Sequence, residues 1–179
     1  MEKYELTSDY IEVEGRKLYR IKALKAFNKD VAVGDLGGYI ESEANLSHEG
    51  TCWVYDDAKV YGSAEVYGSA EVYDSAEVYD SARVFDQARV YDQARVFDQA
   101  RVCGEARVYD NAIICDRAIV YDQAKVYDSA EVYGSAEVYD SAEVYDSAKV
   151  SGWARVYGWA EVSGGTNVSG GAILRTLKG

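Results

Sequence analysis

From Val54 to Ile173 an aliphatic residue returns at every sixth position. Aligned on Val54, this stretch divides into twenty hexapeptides, of which nineteen begin with Val and one with Ile114. The fifth position is Ala in nineteen of them and Thr166 in the other, and the third is Asp or Gly in all twenty. The second is aromatic in fifteen, thirteen of them Tyr. A self-similar period this short outranks local propensity. Six residues are too few for a helix-turn-helix unit, and a heptad needs seven. Triplets such as Glu71-Val72-Tyr73 and Arg89-Val90-Tyr91 alternate around an inward Val, as a half-buried strand does. The Asp or Gly that follows tolerates the left-handed backbone of a tight corner. Ala then fills the inside of the corner.

Three such edges close a triangular coil of about eighteen residues, so twenty repeats give nearly seven coils. At ~4.8 Å per stacked strand the rod is roughly 30 Å long. The predicted fold class is all-β, a single-stranded parallel β-helix whose interior of Val and Ala is dry and close-packed. Residues 40–173 form this body. Residues 1–39 read as an N-terminal cap built on a β-hairpin, with Tyr10–Val13 and Lys17–Ile21 flanking Glu14-Gly15-Arg16. Lys22 to Phe27 would prolong its second strand. Ile40, Ala44 and Leu46 already keep the repeat spacing, but the frame slips by two residues before Val54. Residues 174–179 read as a C-terminal cap or tail, with Leu174 and Leu177 folding over the last coil. Caps are expected because an open β-helix end is a sheet edge that invites polymerisation.

The unit Val-Tyr-Asp-Ser-Ala-Glu resembles the hexapeptide repeat of left-handed parallel β-helix proteins across residues 54–173. The leader resembles that of small bacterial and phage or prophage proteins of this superfamily. It carries the step Asp35-Leu36-Gly37-Gly38-Tyr39-Ile40, then Asn45-Leu46-Ser47 and Cys52-Trp53-Val54. Many of those proteins bear an acyltransferase name because of the repeat alone. The resemblance implies left-handed coiling, a sense that periodicity does not fix. In the acyltransferase branch it also implies a catalytic His, loops that break the coil and a cleft between protomers. This chain has one histidine, His48, in the leader, and no insertion interrupts the repeats. The carbonic-anhydrase branch needs three His ligands for zinc. No catalytic residue, metal or cofactor is therefore expected.

Composition narrows the partners. The net charge of −12 disfavours nucleic acid and anionic membranes. The absence of proline suits a structure that uses every backbone N–H. Three cysteines without CxxC spacing, no signal peptide and no long apolar run point to a reduced, cytoplasmic protein. Cys52 falls at an inward position. Cys103 and Cys115 are outward, on different faces and without a neighbouring base. Stacking puts Asp56, Asp74, Asp92, Asp110, Asp128 and Asp146 in one column. Such a column either bonds its own turns or offers oxygen ligands to calcium. The Tyr residues beside those Asp should stack, or offer a flat face to a protein or sugar.

Departures from the repeat mark the candidate surface. The sixth position runs Glu65, Glu71, Glu77, then Arg83, Arg89, Arg95, Arg101, Arg107, then Ile113, Ile119, Lys125, and returns to Glu131, Glu137, Glu143. A basic belt thus winds round the middle of the rod, with no face holding more than two of its Arg. Beside it, Ile113 and Ile119 with Phe97, Cys103, Cys115 and Tyr121 make an apolar patch, the leading candidate interface. Trp153 and Trp159 take corner positions in consecutive repeats, either as cap packing or as an exposed contact. The expected function is a non-enzymatic protein-binding module encoded by a phage or mobile element. It would occlude or mimic a host partner, or bind its own kind as a dimer or trimer. An acyltransferase-like enzyme with an inter-protomer site and a virion or scaffold component are the alternatives.

Overall fold

The computed structural model describes residues 2–27 and 29–177. An antiparallel N-terminal hairpin leads into a parallel β-solenoid of about eight turns. The hairpin is β1 (Tyr4–Val13) and β2 (Arg16–Ala23), and β3 (Leu36–Ile40) joins it to the first coil. Three walls follow. The first runs from β3 through Lys59–Val60 to Asn167–Val168, the second from Glu65–Val66 to Ile173–Thr176, and the third from Trp53–Val54 to Glu161–Val162. Each short strand lies parallel to the one eighteen residues later, as Arg89 and Val90 do to Arg107 and Val108. The coil adds one to the expected seven because the leader supplies it, with Ile40 against Val60 and Leu46 bridged to Val66.

Each repeat position has one physical task. The first-position aliphatics from Val54 to Val162 and the Ala residues from Ala58 to Ala160 are buried and form one core. All twenty third positions have positive φ, from 50° at Asp56 to 72° at Gly68, which is why nothing but Asp or Gly stands there. Between corners, alternate N–H groups donate to carbonyl oxygens of the coil above. Arg89 reaches Ala106, Tyr91 reaches Val108 and Gln93 reaches Asp110, all at 2.9–3.0 Å.

The Asp column differs from the own-turn bonding expected of it. The Asp128 N–H donates to Asp110 Oδ2 at 3.3 Å and the Gly134 N–H to Asp116 Oδ2 at 2.8 Å, each eighteen residues on. The side chain leaves the left-handed corner along the rod axis, so it ties one coil to the next instead of closing its own loop. Gly makes the corner without this tie. The second-position aromatics stack as expected. On the third wall Tyr73, Tyr91, Tyr109, Tyr127 and Tyr145 follow at 4.7–5.1 Å with nearly parallel planes, and Tyr55 meets Tyr73 edge-on.

The leader departs most from the repeat. The slip lies between Leu46 and Val54, because Leu46 and Val66 are twenty residues apart whereas Val54 and Val72 are eighteen. Gly50, at φ 67°, turns within this bulge. Ala44, placed inward by spacing, is exposed, and Asn45 is buried in its stead on a 3-10 turn, Glu43–Asn45. The Asn45 Nδ2 donates to Gly62 O and Ala64 O, and its Oδ1 accepts the Ser42 N–H. An amide there satisfies carbonyls that the irregular coil leaves without a backbone donor. β2 stops at Ala23; the chain then turns, with Leu24 N–H on Lys3 O, and does not prolong the strand to Phe27. Phe27 packs instead on Trp53, with ring centroids 5.2 Å apart.

The far end also differs from expectation. Ile173–Thr176 continues the second wall in register with Arg155–Gly158. Leu174 therefore takes the next inward position, 37 % exposed, and Leu177 is 67 % exposed. Neither folds over the coil. Among the described residues no helix is long and apolar enough to cross a membrane.

Candidate protein-interaction surface

The coil length decides which departures from the repeat become neighbours. On the first wall the sixth-position residues run Lys59, Glu77, Arg95, Ile113, Glu131, Lys149, and on the second Glu65, Arg83, Arg101, Ile119, Glu137, Arg155. Glu77 pairs with Lys59 at 2.7 Å, Glu65 with Arg83 at 3.6 Å, Glu131 with Lys149 at 2.9 Å and Glu137 with Arg155 at 3.5 Å. Every acid along these rows is thus paired with a cation other than Arg95 and Arg101. Arg95 and Arg101 are left facing Ile113 and Ile119, and among the described residues neither has an ion pair.

The candidate patch spreads over both of these walls. Phe97, Cys115, Arg101 and Ile119 flank the edge between them, while Cys103 and Tyr121 lie at the far margin of the second. Arg95 shares a groove with Gln93 and Asn111 at the opposite margin of the first wall, with Ile113 stacked on it. Phe97, Cys115, Ile113 and Arg95 lie on the first wall; Arg83, Arg101, Cys103, Ile119 and Tyr121 lie on the second. Arg117 stands at the corner between Ile113 and Ile119, exposed. Two coils higher on that corner is Trp153, 69 % exposed, reached through Ser135 by the stacked bonds Arg117 N–H to Gly134 O and Ser135 N–H to Gly152 O. Arg117 does not stand out in the sequence because the fourth position varies more than the others, holding Asp, Ser, Gln, Glu, Asn, Arg, Trp or Gly. Ile113 and Ile119 are half-buried.

Other candidates fall elsewhere. Arg89 and Arg107 are on the third wall, where Lys125 extends them to three consecutive cations. Arg89 pairs with Glu71 and Lys125 with Glu143, while Arg107 sits between like charges with no ion pair among the described residues. Trp159, 49 % exposed, occupies the next corner, between the second and third walls. An open groove of about 720 Å³ runs down that corner past Asp86, Asp122 and Asp140 to Trp159 and Arg175. Its Asp122 and Asp140 carboxylates accept N–H groups of the coil above.

The groups with nucleophilic or ligating chemistry are held in place by packing. Cys103 and Cys115 interrupt the aromatic ladders on separate walls, and burial together with nearby Asp carboxylates pushes both thiols up to about 11. They are protonated at neutral pH and poor nucleophiles. His48 is stacked on Tyr4, with centroids 4.2 Å apart, and its Nδ1 accepts the Lys3 N–H at 3.1 Å. Its Nε2 is shielded and has no hydrogen-bond partner among the described residues. Lys3, fully buried, donates to Cys52 O at 2.7 Å and Cys52 Sγ at 3.1 Å, and burial lowers its pKa. Burial also raises that of Cys52. Nothing in the repeat pattern announces Lys3, since it lies outside it. Among the described residues no three His, Cys, Asp or Glu side chains are grouped to hold a metal ion. In comparisons with known proteins, neither a family model nor a curated protein matches this chain.

Proposed function

We propose that the protein is a non-enzymatic binding module that docks an acidic-and-apolar segment of another protein across its first and second walls. One observation carries this reading. Where Glu would continue the ion-pair rows, Ile113 and Ile119 stand over Arg95 and Arg101, two exposed guanidinium groups that have no ion pair among the described residues. Arg and Trp are among the residues that most often anchor interfaces, and here Arg117 and Trp153 stand on the corner between those two walls. A partner carboxylate would fill the missing place in each row, and partner side chains would cover the aliphatic step. His48 is committed to packing and the two outward thiols are protonated, so a catalytic role has no residue to support it. The hexapeptide and leader resemblance supports an origin in a phage or mobile element, and with it an occluding role against a host protein.

The test compares the wild type with Ile113→Glu plus Ile119→Glu as immobilised bait in an extract of the native host, read by mass spectrometry. In the variant each new Glu meets the Arg eighteen residues earlier, so the coils stay intact while the two walls lose both their free cations and their aliphatic step. A wild-type-specific partner that disappears with the variant, at unchanged circular dichroism, is the expected result. Retention of the partner by the variant would sink the proposal.

A further inference from the structure

Two of the three aromatic ladders are broken in the middle, each by a single residue. On the first wall the second positions run Tyr61, Tyr79, Phe97, Cys115, Tyr133, and on the second Tyr67, Phe85, Cys103, Tyr121, Tyr139. The intact steps are regular. Tyr79 to Phe97 and Tyr67 to Phe85 are each 4.9 Å between centroids and Tyr121 to Tyr139 is 4.8 Å, with planes within 9° of parallel. Val96, Ile114 and Val132 pair in line, so Cys115 stands between Phe97 and Tyr133. Val84, Val102 and Val120 set Cys103 between Phe85 and Tyr121 in the same way. On the third wall the ladder is unbroken from Tyr73 to Tyr145.

A Cys side chain ends at the atom that corresponds to the first carbon of a Phe or Tyr ring. Each break is therefore a gap the size of one ring, with the thiol as its floor and a ring on either side. Both thiols are half-buried, as a floor between two rings must be. Two strand spacings, about 9.6 Å, separate the flanking rings, so a ring placed midway is ~4.8 Å from each. That repeats the step of the intact ladder and lies within the range where offset rings attract. A branched aliphatic chain is thicker than a ring and would push apart side chains whose backbone is fixed by the stacking. The repeats hold two Phe, Phe85 and Phe97, and each borders a gap. On that side the slot is apolar to its outer rim, where Tyr would set a hydroxyl.

We infer that each gap binds one planar aromatic ring, and that the ring held at Cys115 is an aromatic side chain of the segment docked across the first and second walls. The gap is there whatever docks; the source of its ring rests on the docking already proposed. Cys115 faces Arg101 and Ile119 across the corner that carries Arg117. A segment whose carboxylate meets Arg101 can therefore set a nearby aromatic residue into the gap. Cys103, at the far margin of the second wall, offers a second slot of the same kind.

p-Cresol, the tyrosine side chain as a free molecule, tests the gaps without any partner. Titrated into the full chain, it should show a saturable upfield ring-current shift of its own proton signals. Cys103→Tyr plus Cys115→Tyr fills both gaps and should abolish that shift, with circular dichroism unchanged and a raised melting temperature from the completed ladders. Adding Tyr109→Cys to the filled variant opens a new gap between Tyr91 and Tyr127 and should restore the shift. For the partner captured from host extract, Cys115→Tyr should weaken binding by about fivefold or more through the loss of two ring pairs. Cys115→Ala, which leaves the gap open, should retain the partner. No saturable shift with the wild type, or a shift that survives in the filled variant, would overturn the inference. So would full capture by Cys115→Tyr of a partner that the Ile113→Glu plus Ile119→Glu pair loses, a result that leaves the docking itself in place. Capture by both variants would overturn the docking as well.

Discussion

Replacing Gly37 by alanine adds a single methyl group at one of the tight backbone crossings in the molecule. A Cβ built there stands 2.5 Å from Val54 O, 2.6 Å from Ile21 Cγ1 and 2.8 Å from the Trp53 ring. An ordinary contact to a carbonyl oxygen is several tenths of an ångström longer, and this oxygen belongs to a backbone fixed in the third wall. Gly37 has no left-handed φ, so the cost is steric and not conformational. Overpacking of this kind costs about 1–3 kcal/mol, and contact with immobile backbone puts this site at or beyond the upper end. In a chain of this length about 3 kcal/mol corresponds to roughly 6–12 °C in melting temperature. A solenoid need not melt as one unit, so the reporter must lie at the crossing. Trp53 is buried there and touches the methyl directly, and with Trp153 and Trp159 changed to Phe it becomes the only tryptophan. Its fluorescence should red-shift at lower denaturant in Gly37→Ala than in the parent. Gly165→Ala supplies the contrast, because no atom lies within 4 Å of its Cβ and its φ is not left-handed. That change should be neutral or stabilise by about 0.4–1 kcal/mol through the unfolded chain. If Gly37→Ala moves the Trp53 transition by less than about 0.5 kcal/mol, as an unremarkable surface change does, the packing of the leader is not as described here.

Two further outcomes follow from ionisation. Burial within the ladders pushes the phenols of Tyr73, Tyr109 and Tyr121 up to about 12. Over the range from the ordinary 10 to 12 the unfolded chain releases protons that the folded one keeps, so stability falls as pH rises. Phenolate absorbance should therefore appear together with loss of the circular-dichroism signal, and a gradual titration centred near 10 in an intact fold would contradict the ladder. Cys103 and Cys115, raised from 9.0 to about 11, should alkylate about a hundredfold more slowly in the native than in the denatured protein at neutral pH. Comparable native and denatured rates would show that the walls do not shield them.

The regular part of the fold was legible because each repeat position answers one constraint. An inward Val, an Ala inside the corner and an Asp or Gly at positive φ leave little choice, and twenty repetitions of the same solution identify it. The leader was not legible to the same degree. There Asn45 takes the place that spacing gave to Ala44, because an amide can serve Gly62 O and Ala64 O in a coil of irregular length. Lys3 reaches Cys52 across forty-nine residues, a contact that no periodicity encodes. The Asp residues were recognised as corner formers, but the direction of their side chains, up the rod to the next coil, depends on the stacked geometry. At the far end Leu174 looked like a cap because the Val-first pattern stops, whereas its backbone continues the wall as one more inward position.

The candidate edge was half legible, and what was missing was a single subtraction. In a coil of eighteen residues every outward side chain has wall neighbours eighteen residues before and after it, so changing one residue alters its pairing with two others. Ile113 and Ile119 were noticed as apolar, and the Arg belt as basic, and the two were treated as adjacent features. They are one feature. Each Ile removes the acid that would have neutralised the Arg beneath it, so the same two positions create the aliphatic step and free the cations beside it. Arg107 lacks an ion pair for a different reason, since cations lie both above and below it, and its wall carries an unbroken Tyr ladder with no aliphatic break. A partner that recognised charge alone would find Arg107 as good as Arg101. One that needs carboxylate and apolar contact together finds both on the first and second walls, where Ile113 and Ile119 stand over Arg95 and Arg101.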